Sequence, residues 1–286
     1  MIDKFFKNIL KLFGFIIIFL GLLIFLSLFS SSLPSIKKFG LKFLFLSDWD
    51  PVNEVFGGLP FILGTLITSL LAFIISLPFI LSVTIILGVY FTEGFIAEIL
   101  RHIIDLIAAI PSVIIGFWGL FVFVPIVREV ELLLGVTPYG VGIITASILL
   151  AFMILPYSAS IGKDAMRLVP QDLKEAAFSL GATKWEVIKK IMIPYARSGI
   201  IAGMFLSLGR ALGETMVVTM VIGNKNSIPQ SIFEPGNTIA SVIANEFAEA
   251  ITHLHVSSLI YLGLILFLIT MLFNIIAKFM LKKFKI

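Results

Sequence analysis

The stretch KEAAFSLGATKWEVIKKIMIPY, Lys174 to Tyr195, sets four lysines and two glutamates in a chain that is otherwise strongly apolar. Of the 286 residues, 59% are hydrophobic and 13% charged, and the mean hydropathy is +1.12. A soluble domain carries roughly 25% charged residues, so this chain buries most of its surface in lipid. A charged, helix-forming segment between two apolar runs has to extend into water. It therefore decides how the rest is arranged.

Spanning ~30 Å of hydrocarbon at ~1.5 Å per residue takes ~20 residues. Six runs qualify, at about Leu12–Phe29, Pro60–Phe91, Ile103–Val127, Tyr139–Ile161, Gly199–Ile222 and Ser257–Phe279. The second is too short for two crossings and a turn, and Pro78 inside it predicts one kinked or tilted helix. The first follows Lys4, Lys7 and Lys11 and precedes Ser30–Ser32, as the core of a signal peptide would. Its apolar core exceeds the usual ~7–15 residues, which predicts an uncleaved span. The expected fold class is all-α and integral to the membrane, with six transmembrane helices. Residues 1–58 form an N-terminal span and outer loop, and 59–286 a core of five spans.

With the N-terminus inside, 15 of the 21 Lys and Arg fall on inner segments. Seven lie between Lys163 and Arg197, one is Arg101, and Lys278, Lys282, Lys283 and Lys285 close the chain. Five fall outside, at Lys37, Lys38, Lys42, Arg128 and Lys225, and Arg210 remains within a span. This bias puts both termini and the opening stretch in the cytoplasm.

Composition excludes several functions. Without cysteine there are no disulfides, thiolate metal sites or cysteine nucleophiles. A net charge of +4 with no clustered basic surface gives nucleic acid no footprint. His253-Leu254-His255 is too sparse for a metal site, so no metal or cofactor is expected. SASIGKDA has the Gly162-Lys163 pair of a nucleotide loop but lacks its earlier glycine and its following Ser or Thr. Any energy from ATP must arrive through a partner.

Within the charged stretch, Pro170 disfavours helix continuation and Asp172 with Glu175 is spaced like a capping box, so a helix is expected from about residue 172. Gly181 interrupts it. A second piece from Thr183 sets Trp185, Ile188, Lys189 and Met192 in an amphipathic pattern before Pro194 opens the fifth span. Two readings are open. Glu175 caps a surface helix and complements its dipole, or Ala176 and Ala177 permit close approach by a partner while Gly181 turns the chain. In the fifth span, GIIAGMFLSLGRALGETMVVTMVIGN, Arg210 and Glu214 are four apart and able to pair on one helical face. A charge at the bilayer centre costs at least ~2.5–3.5 kcal/mol, so such residues face the bundle interior or an aqueous path. A purely structural ion pair is the alternative. Gly199 with Gly203, and Gly209 with Gly213, have the spacing of close helix contacts. Between Thr238 and Ile251, residues Ile239, Val242, Ile243, Phe247 and Ala250 share a face that suits the outer interface or packing against the bundle.

The order Glu175-Ala176-Ala177, Gly181, Ile191, Ile193-Pro194 resembles the EAA loop of bacterial ABC-transporter permeases, with Ile193 where that family usually has Leu. In that family the loop is a coupling helix, here about 172–190, that sits in a cleft of the ATPase subunit. GRALGETMVVTMVIGN at 209–224 resembles the phosphate-uptake permeases of the PstC type. So do GGLPFILGTLITSLLAF at 57–73, IAAIPSVIIGFWGL at 107–120, MILPYSAS with DAMRLVP at 153–170, and FEPGNTIASVIANEFAEA at 233–250. The sister PstA-type subunit shares the EAA loop but differs in the fifth span. The resemblance implies a type I, MetI-like importer permease in the bacterial cytoplasmic (inner) membrane, moving phosphate by alternating access. Its implied partners are a dimer of ATP-binding subunits, a PstA-type permease and an extracytoplasmic phosphate-binding protein. It places Arg210 and Glu214 on the phosphate path. Arg offers a planar fork matched to phosphate, which Glu214 could hold between cycles. Thr65, Ser69, Ser112, Ser207 and Thr215 could add neutral donors, although such hydroxyls also satisfy their own helix's carbonyls. Alternatives are a permease for sulfate or molybdate, the sister subunit, a passive channel or a secondary carrier. A secondary carrier calls for inverted repeats and charges in several spans, and the clear mid-span charges are Arg210 and Glu214.

The topology is directly testable. A reporter active outside the membrane should work when fused after Asn226 and stay silent when fused after Gly181; the reverse pattern would overturn the orientation.

Overall fold

The computed structural model describes residues 2–283, with side chains from residue 6; Lys285, counted above, lies outside the described residues. Helix α1 (Ile2–Phe39) is followed by a short 3-10 turn and an antiparallel hairpin of β1 (Trp49–Asp50) and β2 (Val55–Phe56), with Trp49 opposite Phe56. Helix α2 (Leu59–Ile85) is prolonged by a π turn to Tyr90. Helix α3 (Phe95–Ala109) precedes α4 (Ser112–Trp118), a π turn and α5 (Val124–Leu133). Helix α6 (Ile143–Arg167) leads to α7 (Gln171–Ser179) and α8 (Lys184–Val187), and a further π turn runs into α9 (Ile193–Leu212). Helices α10 (Met216–Val221), α11 (Ile239–Glu246) and α12 (His253–Lys283) follow. Apart from the hairpin the fold is all-α, as expected. Among the described residues, six segments are long and apolar enough to cross a membrane: Phe6–Leu44, Leu59–Tyr90, Ser112–Leu133, Ile143–Arg167, Lys184–Leu212 and His253–Lys283.

Two spans differ from the sequence expectation. The third does not begin at Ile103. Ile110 and Pro111 are extended, with ψ of 124° and 136°, and divide α3 from α4. Proline has no N–H to continue the ladder and its ring excludes the helical conformation from the preceding residue. The apolar residues from Ile103 to Ala109 belong instead to the second half of α3, a separate amphipathic helix whose other positions include Arg101, His102 and Asp105. The fifth span is likewise not one helix. α9 stops at Leu212 with Gly213 as its C-cap, and α10 begins at Met216. Pro78, by contrast, lies within α2, and the 32-residue run is one span.

Small residues set the packing. Methyl groups built at Gly199 and Gly203 would strike Ala165 Cβ, and Ser158 O with Ile161, respectively. That close approach lets α9 lie against α6, as the first small-residue spacing predicts. The second spacing does not act this way, because nothing lies within 4 Å of a methyl at Gly209 or Gly213. Ser30–Ser32 do not end the first span. Ser257 Oγ donates to Ser31 O at 3.0 Å and accepts from Ser35 N at 3.1 Å, and Ser258 Oγ donates to Ser35 Oγ at 3.1 Å. These bonds fasten α1 to α12. The buried core has three parts. Leu150, Ile154 and Val217 fill the middle, Phe43, Phe56, Phe61 and Tyr261 one end, and Met166, Ile188 and Met192 the end that carries α7.

A methyl at Gly64 would lie 1.9 Å from the carbonyl oxygen of Asn237, backbone against backbone. Gly64→Ala should cost about 1–3 kcal/mol through overpacking. The melting temperature in detergent should fall by roughly 5 °C. Gly21→Ala, with nothing within 4 Å, is the control that should leave it unchanged.

Candidate functional site

Two features face outward from this frame. The first is the projection formed by α7 and α8. Pro170 occupies the N-cap of α7 without a side-chain cap, so the helix starts at Gln171 and the expected Asp172/Glu175 box does not form. With Asp172 already inside the first turn, its carboxylate is past the capping position. The box forms instead at α8, where Thr183 N donates to Glu186 Oε2 at 3.0 Å and Glu186 N to Thr183 Oγ1 at 3.4 Å. Between the two helices the chain turns at Gly181, with φ of +84°. Gly181 N donates to Phe178 O at 2.9 Å and Ala182 N to Ala177 O at 3.1 Å. These are the paired bonds of a Schellman ending, which favours glycine at this position.

No residue of α7 is buried. Glu175 and Ala176 are exposed, as are Leu173, Phe178, Leu180 and Trp185, while Ala177 leans on the core beneath. Leu180 is 89% exposed, an apolar side chain with no cover from its own chain. The root is firm. Val187, Ile188 and Met192 are buried with Met166 and Val169, and Lys184 Nζ lies 4.2 Å from the centre of the Tyr90 ring. The Arg167 guanidinium donates to Leu87 O and Thr92 O, each at 3.0 Å. Those carbonyls belong to the π turn that ends α2 and to the loop after it.

The second feature is the interruption between α9 and α10. Arg210 lies in the last turn of α9, exposed, with Glu214 and Thr215 half-buried in the break. Among the described residues the ion pairs within 4.0 Å do not include Arg210–Glu214. The helix ends between them, so the four-residue spacing no longer brings them onto one face. The Arg210 guanidinium instead lies 4.2 Å from the centre of the Tyr157 ring. Sequence reasoning missed Tyr157. The signal available was a lone aromatic among the hydroxyls and aliphatics of MILPYSAS, with nothing to point it at a helix distant in sequence.

The hydroxyl candidates divide. Thr65 Oγ1 is buried, donates to Phe61 O at 2.8 Å and accepts from Ile239 N at 3.0 Å, so it holds the start of α11. Ser69 donates to Thr65 O at 2.6 Å, and Ser207 donates to Met204 O at 2.8 Å and accepts from Ser158 Oγ at 3.2 Å. These three serve the helices. Thr215, bonded to Gly213 O at 3.3 Å, sits beside Glu214, and Ser112 is half-buried at the start of α4. Helix α4 packs on α10, where a methyl at Gly116 would meet Val217 Cα and Met216 O. At the opposite end, His255 Nε2 lies 3.0 Å from Glu246 Oε2, which also accepts from Trp49 Nε1 at 2.8 Å. Asn226 donates to Glu246 Oε1 at 2.9 Å. Ile239 and Val242 of α11 are buried as expected, while Phe247 is exposed.

Both features lie within residues 80–286, which match the family of binding-protein-dependent transport system inner membrane components. The chain belongs to this family. It is 42% identical to the phosphate transport system permease protein PstC of Haemophilus influenzae, over 99% of this chain and 94% of the relative. Against the protein of that name from Mesorhizobium japonicum it is 44% identical, over 90% and 83%. Against the probable PstC of Methanocaldococcus jannaschii it is 34% identical, over 95% and 91%. In three dimensions it resembles a chain of the MetNI methionine ABC transporter, with TM-score 0.57, 17% identity, and coverage of 78% of this chain and 92% of that one. A bacterial ABC transporter that imports alginate gives TM-score 0.51, 18% identity, and coverage of 88% and 95%. The fold is that of the MetI-like importer permeases.

Gly181→Val forces a branched side chain into a left-handed conformation, at about 1–2 kcal/mol. Proteolysis between Phe178 and Lys184 should quicken by roughly tenfold, while the melting temperature of the bundle stays the same. Unchanged proteolysis would mean that the turn does not depend on glycine.

Proposed function

We propose that this chain is the phosphate-conducting permease subunit of an ATP-driven importer, working by alternating access in the bacterial cytoplasmic membrane. The observation that carries the reading is Arg210. A guanidinium inside a span is costly, and here no carboxylate lies within 4.0 Å of it among the described residues. It rests on an aromatic face, with its forked donors available for a tetrahedral oxyanion. Glu214 takes Arg210 between cycles, in a conformation where the break straightens and the two residues regain a common face. Thr215 and Ser112 are the hydroxyls best situated to add neutral donors.

The exposed face bearing Arg210 receives a second permease subunit of the PstA type, which completes the path. Residues 59–286 form the conducting core, and 1–58 add the α1 span and hairpin at its side. The basic bias puts α7 and both termini in the cytoplasm. There Glu175, Ala176, Ala177 and Gly181 sit in the cleft of the ATP-binding subunit dimer. A helix with no buried residue, exposed Leu173 and Leu180, and a rigid root suits that role. Hydrolysis belongs to that partner, since this chain has no nucleotide loop. A phosphate-binding protein delivers substrate at the opposite end.

The test is phosphate uptake per assembled transporter. Arg210→Gln should assemble normally, because no internal ion pair is broken, and lose uptake by at least about tenfold. Normal uptake per assembled transporter would remove Arg210 from the mechanism.

A further inference from the structure

We propose that Tyr157 is the positioning residue of Arg210, and that its hydroxyl ties the arginine's place in the path to α3. This deepens the reading above and rests on it.

The pairing follows from helix register. Gly203 packs on Ser158 O, Gly199 on Ala165, and Ser158 Oγ lies 3.2 Å from Ser207 Oγ. These contacts fix how far α9 slides along α6, and they bring Arg210, one turn beyond Ser207, level with Tyr157. That level is deep in the bundle. Tyr157 is ten residues before Arg167 at the end of α6, or ~15 Å at the helical rise. This is about half the ~30 Å hydrocarbon thickness.

A ring suits this place better than a carboxylate. The negative face of an aromatic attracts a cation without occupying its N–H donors. A carboxylate would fill the guanidinium fork and repel an incoming phosphate. On the ring, Arg210 is stabilised in the membrane while its donors stay open.

The hydroxyl carries the second half of the proposal. Tyr157 Oη donates to Ala108 O at 3.3 Å, one of the carbonyls that the end of a helix leaves without an intrahelical donor. Near the middle of α3, Arg101 donates back to Thr92 O in the loop that precedes the helix, and the same carbonyl accepts from Arg167. Helix α3 is thus fastened to α6 directly at its Ala108 end and, from its middle, through the shared Thr92 carbonyl; it runs antiparallel to α6, with Arg210's support at one end and the root of α7 toward the other. A shift of α3 along α6 would tilt the Tyr157 ring and move the guanidinium.

The complete transporter, with its ATP-binding subunits, sister permease and binding protein, provides the measurement: phosphate moved per ATP hydrolysed. The variants are Tyr157→Phe, the same position carrying 4-fluoro- and 3,4,5-trifluorophenylalanine, and Arg210→Gln. The fluorinated rings keep the shape of phenylalanine and drain its negative face, so packing and assembly are preserved. Phosphate per ATP should fall stepwise along the series, reaching at least about tenfold below Tyr157→Phe with three fluorines. Tyr157→Phe itself should lose its sensitivity to Arg101→Gln, which loosens α3 from the loop before it. A flat fluorine series, with Arg210→Gln inactive, overturns the role of Tyr157 and leaves Arg210 on the path. A flat series with Arg210→Gln active overturns the path reading as well. Equal sensitivity of Tyr157→Phe and the natural chain to Arg101→Gln overturns the link to α3.

Discussion

A guanidinium cannot stand in hydrocarbon without a partner, and the packing of α6 against α9 is arranged around that constraint. Gly199 and Gly203 let the two helices close on Ala165 and Ser158. The Ser158–Ser207 contact then sets the register that brings Arg210 onto Tyr157. Bulkier residues at those glycines would part the helices and leave the charge in lipid. The glycines are small so that the arginine can stay.

The projection at the end of the bundle obeys a different rule. As the proposed coupling helix, it has to be exposed to meet a partner and stiff enough to transmit a push. The exposed side of α7 has no buried residue, so its own contacts supply little rigidity. Stiffness comes from the ends: the paired bonds across Gly181, the box at Thr183 and Glu186, and the buried Val187, Ile188 and Met192. The exposed Lys190–Glu186 pair, at 3.1 Å, adds little. Arg167, binding two carbonyls of the α2 end, joins the base of the projection to a second span. A displacement of α7 therefore reaches α2, α6 and α9 together.

Much of this was legible in the sequence, because hydropathy and charge placement follow directly from lipid and water. The number of spans, the exposed charged helix and the mid-span Arg210 were read from the residues themselves. What escaped depends on continuity and on distant pairing. Ile103–Val127 has the composition of one span, yet Pro111 cuts it. Gly199–Ile222 reads as one helix, yet it stops at Leu212. The Asp172/Glu175 spacing fits a capping box, but Pro170 starts the helix two residues too early for it. Tyr157 carries no charge and gives no periodic signal, and its importance comes from register against a helix some fifty residues away. The hairpin was hidden for a similar reason. Trp49 and Phe56 gain their place by meeting edge to face, with Trp49 also against Phe61 and both near His255.

The two interruptions share a level. Gly116 lies four residues beyond the start of α4, and it packs on Val217, four residues beyond Gly213. The breaks at Pro111 and Gly213 are therefore side by side, at the height where Tyr157 holds Arg210. Irregular backbone at membrane depth is tolerated where it is buried in protein or lines a water-filled cavity. Glu214 and Thr215 are half-buried in this subunit and Arg210 is exposed, so burial within this chain does not account for them. In the proposed transporter their place is against a second subunit, beside water. Two broken helices, an open cation and a polar break at one depth are what a passage for a hydrated anion requires.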